Sequence, residues 1–339
     1  MVTHAFKAVL VDYDEDLFTP PGWPADMLAG AGIDYVEDQQ RTPQTAGRLA
    51  RDADVVMVQS VRPLLNREVI AGLEKCRCIV RLGIGYDTVD VAAATERGIL
   101  VCNVPYYCIE DVADHALALL MGAVRHVARQ DAAVRAGEWD RTKARPARRM
   151  KGCTMGFVGF GNIARGLARR VSGFDMTLVA YDPYVDAATA ARHGVQKVEF
   201  DELLRRADFI SVHCPLTDQT RHLLSHREFD LMKEGAFVVN TSRGPIIDEA
   251  ALAAALRSGK VWGAGLDVFE REPLPADSPL RDFDNAVFTP HVSANSLEST
   301  ADLYRAGCQI AIDVCAGRWP QGVVNPQVEG KTRFPLRKS

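Results

Sequence analysis

The sequence predicts an α/β protein built from two doubly wound parallel-sheet domains. Three observations predict it. Short apolar runs alternate with helical patterns over most of the chain, as parallel strands covered by helices on both faces require. The 339 residues are enough for two separate cores. A strand–turn–helix pattern with fixed glycines stands near the middle, at Cys153-Thr-Met-Gly-Phe-Val-Gly-Phe-Gly-Asn-Ile-Ala164. Charged residues make up 25% and apolar residues 47%, the balance of an ordinary globular protein.

The N-terminus lacks a signal-peptide layout, since Phe6–Val11 read as a first strand leading into Asp12. Tyr35–Val36, Val55–Val58, Cys78–Leu82 and Ile99–Val101 read as further strands. Met27–Ala31, Thr45–Arg51, Arg67–Glu74 and Val89–Arg97 read as the helices between them, the last closed by Gly98. Two loops of this first half lie beyond strand carboxyl ends, where ligands of open α/β sheets bind. In Gln59–Pro63, Arg62 offers the substrate a positive charge or pairs with an acid. In Arg81–Asp87, Gly83 and Gly85 free backbone N–H groups for an anion or form a plain turn.

Ile109 to about Gly137 reads as one long helix with an apolar stripe of Val112, Ala116, Leu119, Leu120 and Ala123, crossing to a second unit. His115 and His126 read as packing or surface residues. The basic run Arg141–Lys151 reads as a solvated connector. A net charge of −4 gives no reason to expect nucleic acid or a membrane surface as partner. No apolar run approaches the ~20 residues of a membrane span. The eight cysteines are scattered, with Cys78, Cys102 and Cys153 in strand-like runs, which suits reduced thiols in a cytoplasmic protein. Cys76 and Cys78 have no second pair at ligand spacing, so no metal site is expected.

In the central stretch, Met155–Val158 read as a strand and Asn162–Arg170 as a helix. Gly159 permits the sharp turn, Gly161 keeps side chains away from a pyrophosphate, and Ala164 lets helix and strand pack closely. Asn162 and Ile163 present the helix N-terminus. Strand Met176–Tyr181 ends in Asp182, 21 residues after Gly161, where a carboxylate would accept from an adenosine ribose. Pro183 and Tyr184 follow, with no cation for a 2′-phosphate, so the cofactor reads as NAD. Four later strands, Asp208–Val212, Ala236–Asn240, Val261–Val268 and Val287–Thr289, deliver His213, Arg243, Asp267 and His291 to the same sheet edge. Asp248 caps a helix that ends at Gly259, and Leu297–Cys315 reads as a last long helix.

Reduction of a ketone by hydride needs a proton donor, a group supporting it, and a cation for the substrate. His291 suits the donor, Glu272 the supporting carboxylate, and Arg243 the grip on an α-keto carboxylate.

These pieces resemble the D-isomer-specific 2-hydroxyacid dehydrogenases from about Val9 to Val324. The resemblance is carried by Arg-Leu-Gly-Ile-Gly-Tyr-Asp-Thr-Val-Asp90, Gly-Phe-Gly-Asn-Ile-Ala164, His-Cys-Pro-Leu-Thr217, Asn-Thr-Ser-Arg-Gly244, Leu-Asp-Val-Phe-Glu-Arg-Glu-Pro273 and Thr-Pro-His291. It implies a Rossmann NAD-binding domain and a flavodoxin-like substrate domain. It implies Arg243, Glu272 and His291 as the catalytic set. It implies Gly159, Gly161, Asn162, Ile163, Asp182, His213, Thr241, Ser242 and Asp267 at the cofactor. Leu82, Gly83 and Ile84 would offer N–H groups to a substrate carboxylate. The expected activity is NAD-dependent interconversion of a small 2-keto acid and its D-2-hydroxy acid, in a homodimer. The nearest branches are the C-terminal binding proteins and the phosphoglycerate dehydrogenases. Ala294 stands where the former have a pocket tryptophan, and a slow NAD-sensing binding protein of that type is the alternative reading. Glu272 disfavours a formate dehydrogenase and Ile84 a phosphite dehydrogenase. Residues 1–105 with 300–330 are expected to form the substrate domain, 106–299 the cofactor domain, and 331–339 a loose tail.

Overall fold

The structure is a computed structural model that describes residues 5–14, 17–144 and 146–337. The first four residues of the N-terminal reading, position 145 of the basic connector and the last two residues of the expected tail lie outside them. The chain divides into two compact units, Met1–Cys108 with Asn295–Ser339, and Ile109–Ala294.

The first unit holds β1 (Phe6–Leu10), β2 (Ile33–Glu37), β3 (Val55–Val58), β4 (Cys78–Arg81) and β5 (Leu100–Asn103). All pair in parallel, in the order β2-β1-β3-β4-β5, the doubly wound order of flavodoxin-like sheets. Strands β3, β4 and β5 are buried at every residue, which is why they read as apolar runs up to the buried Arg81 and Asn103 that end β4 and β5. The Leu297–Cys315 helix belongs to this unit and begins at the Ser296 cap. Gly307 on it allows close packing, since a Cβ there would stand 2.2 Å from Leu82 Cδ2.

The tail is docked where a loose end was expected. Arg337 N donates to Gly317 O, Trp319 N to Arg337 O, and Arg333 N to Gly98 O. The Arg77 guanidinium lies 3.7 Å from the centre of the Phe334 ring. The polar composition concealed this, because backbone pairing and cation–π contact do not need an apolar run.

The second unit holds β6 (Thr154–Val158), β7 (Thr177–Tyr181), β8 (Gln196–Lys197), β9 (Phe209–Val212), β10 (Ala236–Asn240), β11 (Val261–Leu266) and β12 (Ala286–Phe288). Their parallel order is β12-β11-β10-β9-β6-β7-β8. The order reverses between β6 and β9, the switch point at which a dinucleotide binds in a Rossmann sheet. One face is covered by a core including Leu203, Ile210, Phe229, Leu252 and Leu266, the other by one including Leu120, Phe157, Leu167 and Phe237.

The expected single helix over 109–137 is two, Ile109–Arg125 and Val127–Arg135. His126 breaks it with a left-handed φ of 52°. Its buried ring bonds the Pro146 carbonyl. That tertiary contact offsets the ~1–2 kcal/mol cost of the left-handed conformation; nothing in the local pattern marks the break. The sequence reading also omitted Ala187–Ala191, Phe200–Arg206 and His226–Leu231, all helical. Two carried legible starts, Asp186 accepting from Thr189 N and the Ser225–Glu228 capping box.

Candidate active site

The site of the second unit is assembled at the carboxyl ends of its strands. Gly159 has a φ of +87°, and a Cβ on it would stand 2.6 Å from Cys214 N. Only glycine can both turn there and let the chain past β9 approach. Gly161 caps the Asn162–Val171 helix, and a Cβ on it would meet nothing within 4 Å among the described residues. Arg165 N is the N–H that closes on Gly161 O, so those of Asn162 and Ile163 precede the first helical bond. Asp182 Oδ2 accepts from Phe160 N and Oδ1 from Tyr184 N, both at 2.8 Å. A carboxylate has about four acceptor positions, so capacity is left for ribose hydroxyls. Thr241 Oγ1 is buried and has no hydrogen-bond partner among the described residues. An open cradle over a helix N-terminus, a half-used carboxylate and an orphaned hydroxyl fit a dinucleotide.

Other expected cofactor residues spend their side chains on β9 and on the loops. His213 Nε2 lies 2.8 Å from Ser211 Oγ, and burial pushes its pKa down to about 4, so the ring is neutral near pH 7. Ser242 Oγ donates to Cys214 O, tying the loop after β10 to the loop after β9. Asp267 is fully buried. Its Oδ1 accepts from Thr289 Oγ1 at 2.6 Å and Val292 N at 2.9 Å, its Oδ2 from Ser293 N at 2.9 Å.

The catalytic candidates come together in two steps. Asn240 shapes the turn after β10, accepting from Ser242 N and donating to Arg243 O. That turn lies directly on the segment leading to Glu272: a Cβ on Gly244 would stand 1.9 Å from the Phe269 carbonyl carbon. Arg243 is half-buried and its Nη1 donates to Ser242 O at 2.9 Å. Segment 269–272 is pinned in turn. Glu249 N donates to Glu270 Oε1 and Glu270 N to Glu249 Oε1. Burial, with Glu270 and Glu272 nearby, holds the Glu249 carboxyl above its usual range. Phe269 N donates to Glu272 Oε1 at 3.0 Å, and the Phe269 ring meets Phe288 of β12 edge-on at 5.8 Å. His291 Nδ1 lies 2.7 Å from Glu272 Oε2, both side chains 30% exposed. An ionised carboxylate only accepts, so Nδ1 carries the hydrogen and Nε2 is left to exchange a proton.

In the first unit, Arg62 Nη1 lies 3.4 Å from the fully buried Asp12, which also binds Arg41 at 2.7 Å. Gly83 has a φ of +149° and its carbonyl accepts from Val104 N. Ile84 O accepts from Asn103 Nδ2 at 2.7 Å. Leu82 requires a correction. Its N–H continues the ladder to Val58 O at 2.8 Å and its side chain is core, so it has no N–H to offer a substrate. The N–H groups of Gly83 and Ile84 follow in the turn, beyond the ladder.

Sequence reasoning missed His115 and Thr289, whose Nε2 and Oγ1 lie 2.9 Å apart. The available signal was His115 standing three residues after Val112 and four before Leu119, on the apolar stripe of its helix.

Residues 117–293 match the family model described as D-isomer specific 2-hydroxyacid dehydrogenase, NAD binding domain. The chain is 42% identical over 311 residues to a D-3-phosphoglycerate dehydrogenase of Mycobacterium leprae, covering 89% of this chain and 58% of that protein. It thus spans little more than half the length of that curated relative. It is 38% identical over 282 residues to a glyoxylate reductase of Korarchaeum cryptofilum, covering 82% of this chain and 84% of that one. Among solved structures, a glyoxylate reductase from Paecilomyes thermophila superposes with a TM-score of 0.85 at 29% identity, over 95% of this chain and 99% of that one.

Proposed function

The chain belongs to the D-isomer specific 2-hydroxyacid dehydrogenase family, and from that premise we propose that it reduces a small 2-keto acid with NADH to the D-2-hydroxy acid, or runs the reverse oxidation. The observation that carries the reading is the 2.7 Å bond between His291 Nδ1 and Glu272 Oε2, at the sheet edge that also bears the glycine turn. The bound dinucleotide supplies the hydride. Arg243 grips the substrate carboxylate and polarises the keto oxygen with its planar fork. His291 gives its Nε2 proton to the forming alkoxide, while Glu272 holds Nδ1 and balances the charge of the ring. In the first unit, the resemblance assigns the Gly83 and Ile84 N–H groups to a substrate carboxylate, and Arg62, held by Asp12, is a further cation of that unit.

Relatives named D-3-phosphoglycerate dehydrogenase and glyoxylate reductase support a substrate between a two-carbon 2-keto acid and a phosphorylated three-carbon one. A homodimer in the cytoplasm completes the proposal, supported by the resemblance and by buried thiols such as Cys76, Cys78 and Cys308. The alternative, a slow NAD sensor of the C-terminal binding protein type, draws no support from relatives that bear dehydrogenase and reductase names. Binding alone also has no use for a paired proton donor.

The test follows NADH oxidation with glyoxylate, hydroxypyruvate, pyruvate and phosphohydroxypyruvate, for the parent and His291→Ala. Turnover on the best substrate should fall by roughly 10²–10⁴-fold in the variant, with NADH affinity within about twofold. Equal loss of turnover and NADH affinity would make His291 structural and overturn the assignment.

A further inference from the structure

His115 lies outside the catalytic pair, yet it ends the chain of hydrogen bonds that shapes the His291 turn. Thr289 Oγ1 donates its one proton to Asp267 Oδ1 at 2.6 Å. The 2.9 Å contact between His115 Nε2 and the same oxygen is therefore donated by the ring. His115 Nε2 also stands 3.7 Å from Asp267 Oδ1. Asp267 binds Thr289, Val292 and Ser293 through its carboxylate, and its carbonyl accepts from His291 N at 2.8 Å. The turn so held keeps His291 at a φ of +56°. Such a conformation is unfavourable for a non-glycine residue and persists only where its surroundings over-determine it.

The helix reaches this point because β11 is stripped of side chains beneath it. A Cβ on Gly265 would stand 2.8 Å from Leu119 Cβ. His115 is one turn back from Leu119, about 6 Å along the helix. Asp267 is two residues past Gly265, about 6.6 Å along the strand. The two side chains therefore arrive at one level.

The geometry points to His115 as a positioning residue for the proton-transferring histidine. By donating from Nε2 to Thr289 it fixes that hydroxyl on Asp267. Asp267 then holds the 289–293 turn, and the turn keeps His291 Nδ1 on Glu272. The inference rests on the reading of His291 as the acid.

Three variants test it in the full chain. His115→Gln places an amide nitrogen where Nε2 stood, His115→Asn places it one bond short, and His115→Leu donates nothing. The glutamine variant should keep kcat within about threefold of the parent, while the asparagine and leucine variants lose at least about tenfold, with KM for NADH within about twofold throughout. Ring-nitrogen NMR on isotope-labelled histidine reads the turn without turnover. The His291 signals, assigned by their loss in His291→Gln, should report a hydrogen on Nδ1 in the parent and in His115→Gln, and its transfer to Nε2 in the other two. Equal behaviour of the glutamine and asparagine variants overturns the inference. So does a leucine variant that lowers the melting temperature but leaves kcat and the His291 spectrum unchanged. A parent that turns over none of the keto acids overturns the functional reading alone, and the ring spectra then decide the role of His115.

Discussion

Replacing Gly244 with alanine should disable turnover while sparing the dinucleotide turn. The added Cβ would stand 1.9 Å from the Phe269 carbonyl carbon, 2.0 Å from its oxygen and 2.5 Å from Glu270 N. Ordinary contact begins at about 3.4 Å, so the two segments must separate by roughly 1.5 Å. The opposing atoms are backbone, and no flexible side chain can yield. The displacement falls on the turn that carries Arg243 and on the segment that carries Glu272. Misplacing a catalytic group by about 1 Å costs on the order of 10²-fold in rate, and overpacking costs about 1–3 kcal/mol in stability. The expected result is a kcat/KM about 100-fold lower on the best keto acid, a melting temperature lower by several degrees, and NADH affinity by fluorescence within about threefold. A variant with parental stability and turnover within about threefold would refute the reasoning. It would mean that the two segments separate without moving Arg243 or Glu272.

Two further outcomes follow from single side chains. Asp182→Ala removes the acceptor of Phe160 N and Tyr184 N along with the ribose contact proposed for it. KM for NADH should rise by about tenfold or more, and the preference over NADPH should shrink; steady-state kinetics with both cofactors check it. The pKa of His213 is pushed down to about 4 by burial, from an ordinary 6.5. Between those values the unfolded chain binds a proton that the folded chain refuses, so stability falls as the pH drops through the window. The loss amounts to about 2–3 kcal/mol. Urea unfolding across that range should show a shallower loss for His213→Gln than for the parent.

Features that neighbouring residues encode were legible in the chain. Gly159, Gly161 and Ala164 after an apolar strand specify the dinucleotide turn, because a left-handed φ and an open cradle are properties of those positions alone. The fully buried runs of β3 and β10 announce parallel strands, because both of their faces must be apolar. Asp248 and Gly259 mark the two ends of a helix for the same local reason. The strand ends likewise name Arg243 and His291 as residues sharing an edge.

Tertiary structure decided what depends on partners remote in the chain. Leu82 looked like an N–H donor to a ligand until Val58 O claimed it. The helix after Ile109 kept its periodicity through His126, and only the Pro146 carbonyl accounts for the break. Residues 331–337 looked loose, yet Gly98, Gly317 and Arg77 hold them. Above all, the sequence could not relate His115 to Asp267, 152 positions on. Periodicity reports which face of a helix is buried and is silent about what it is buried against. A hydrogen bond depends on the position of two atoms to a few tenths of an ångström, and here that position is set by Gly265 letting a helix settle onto a strand.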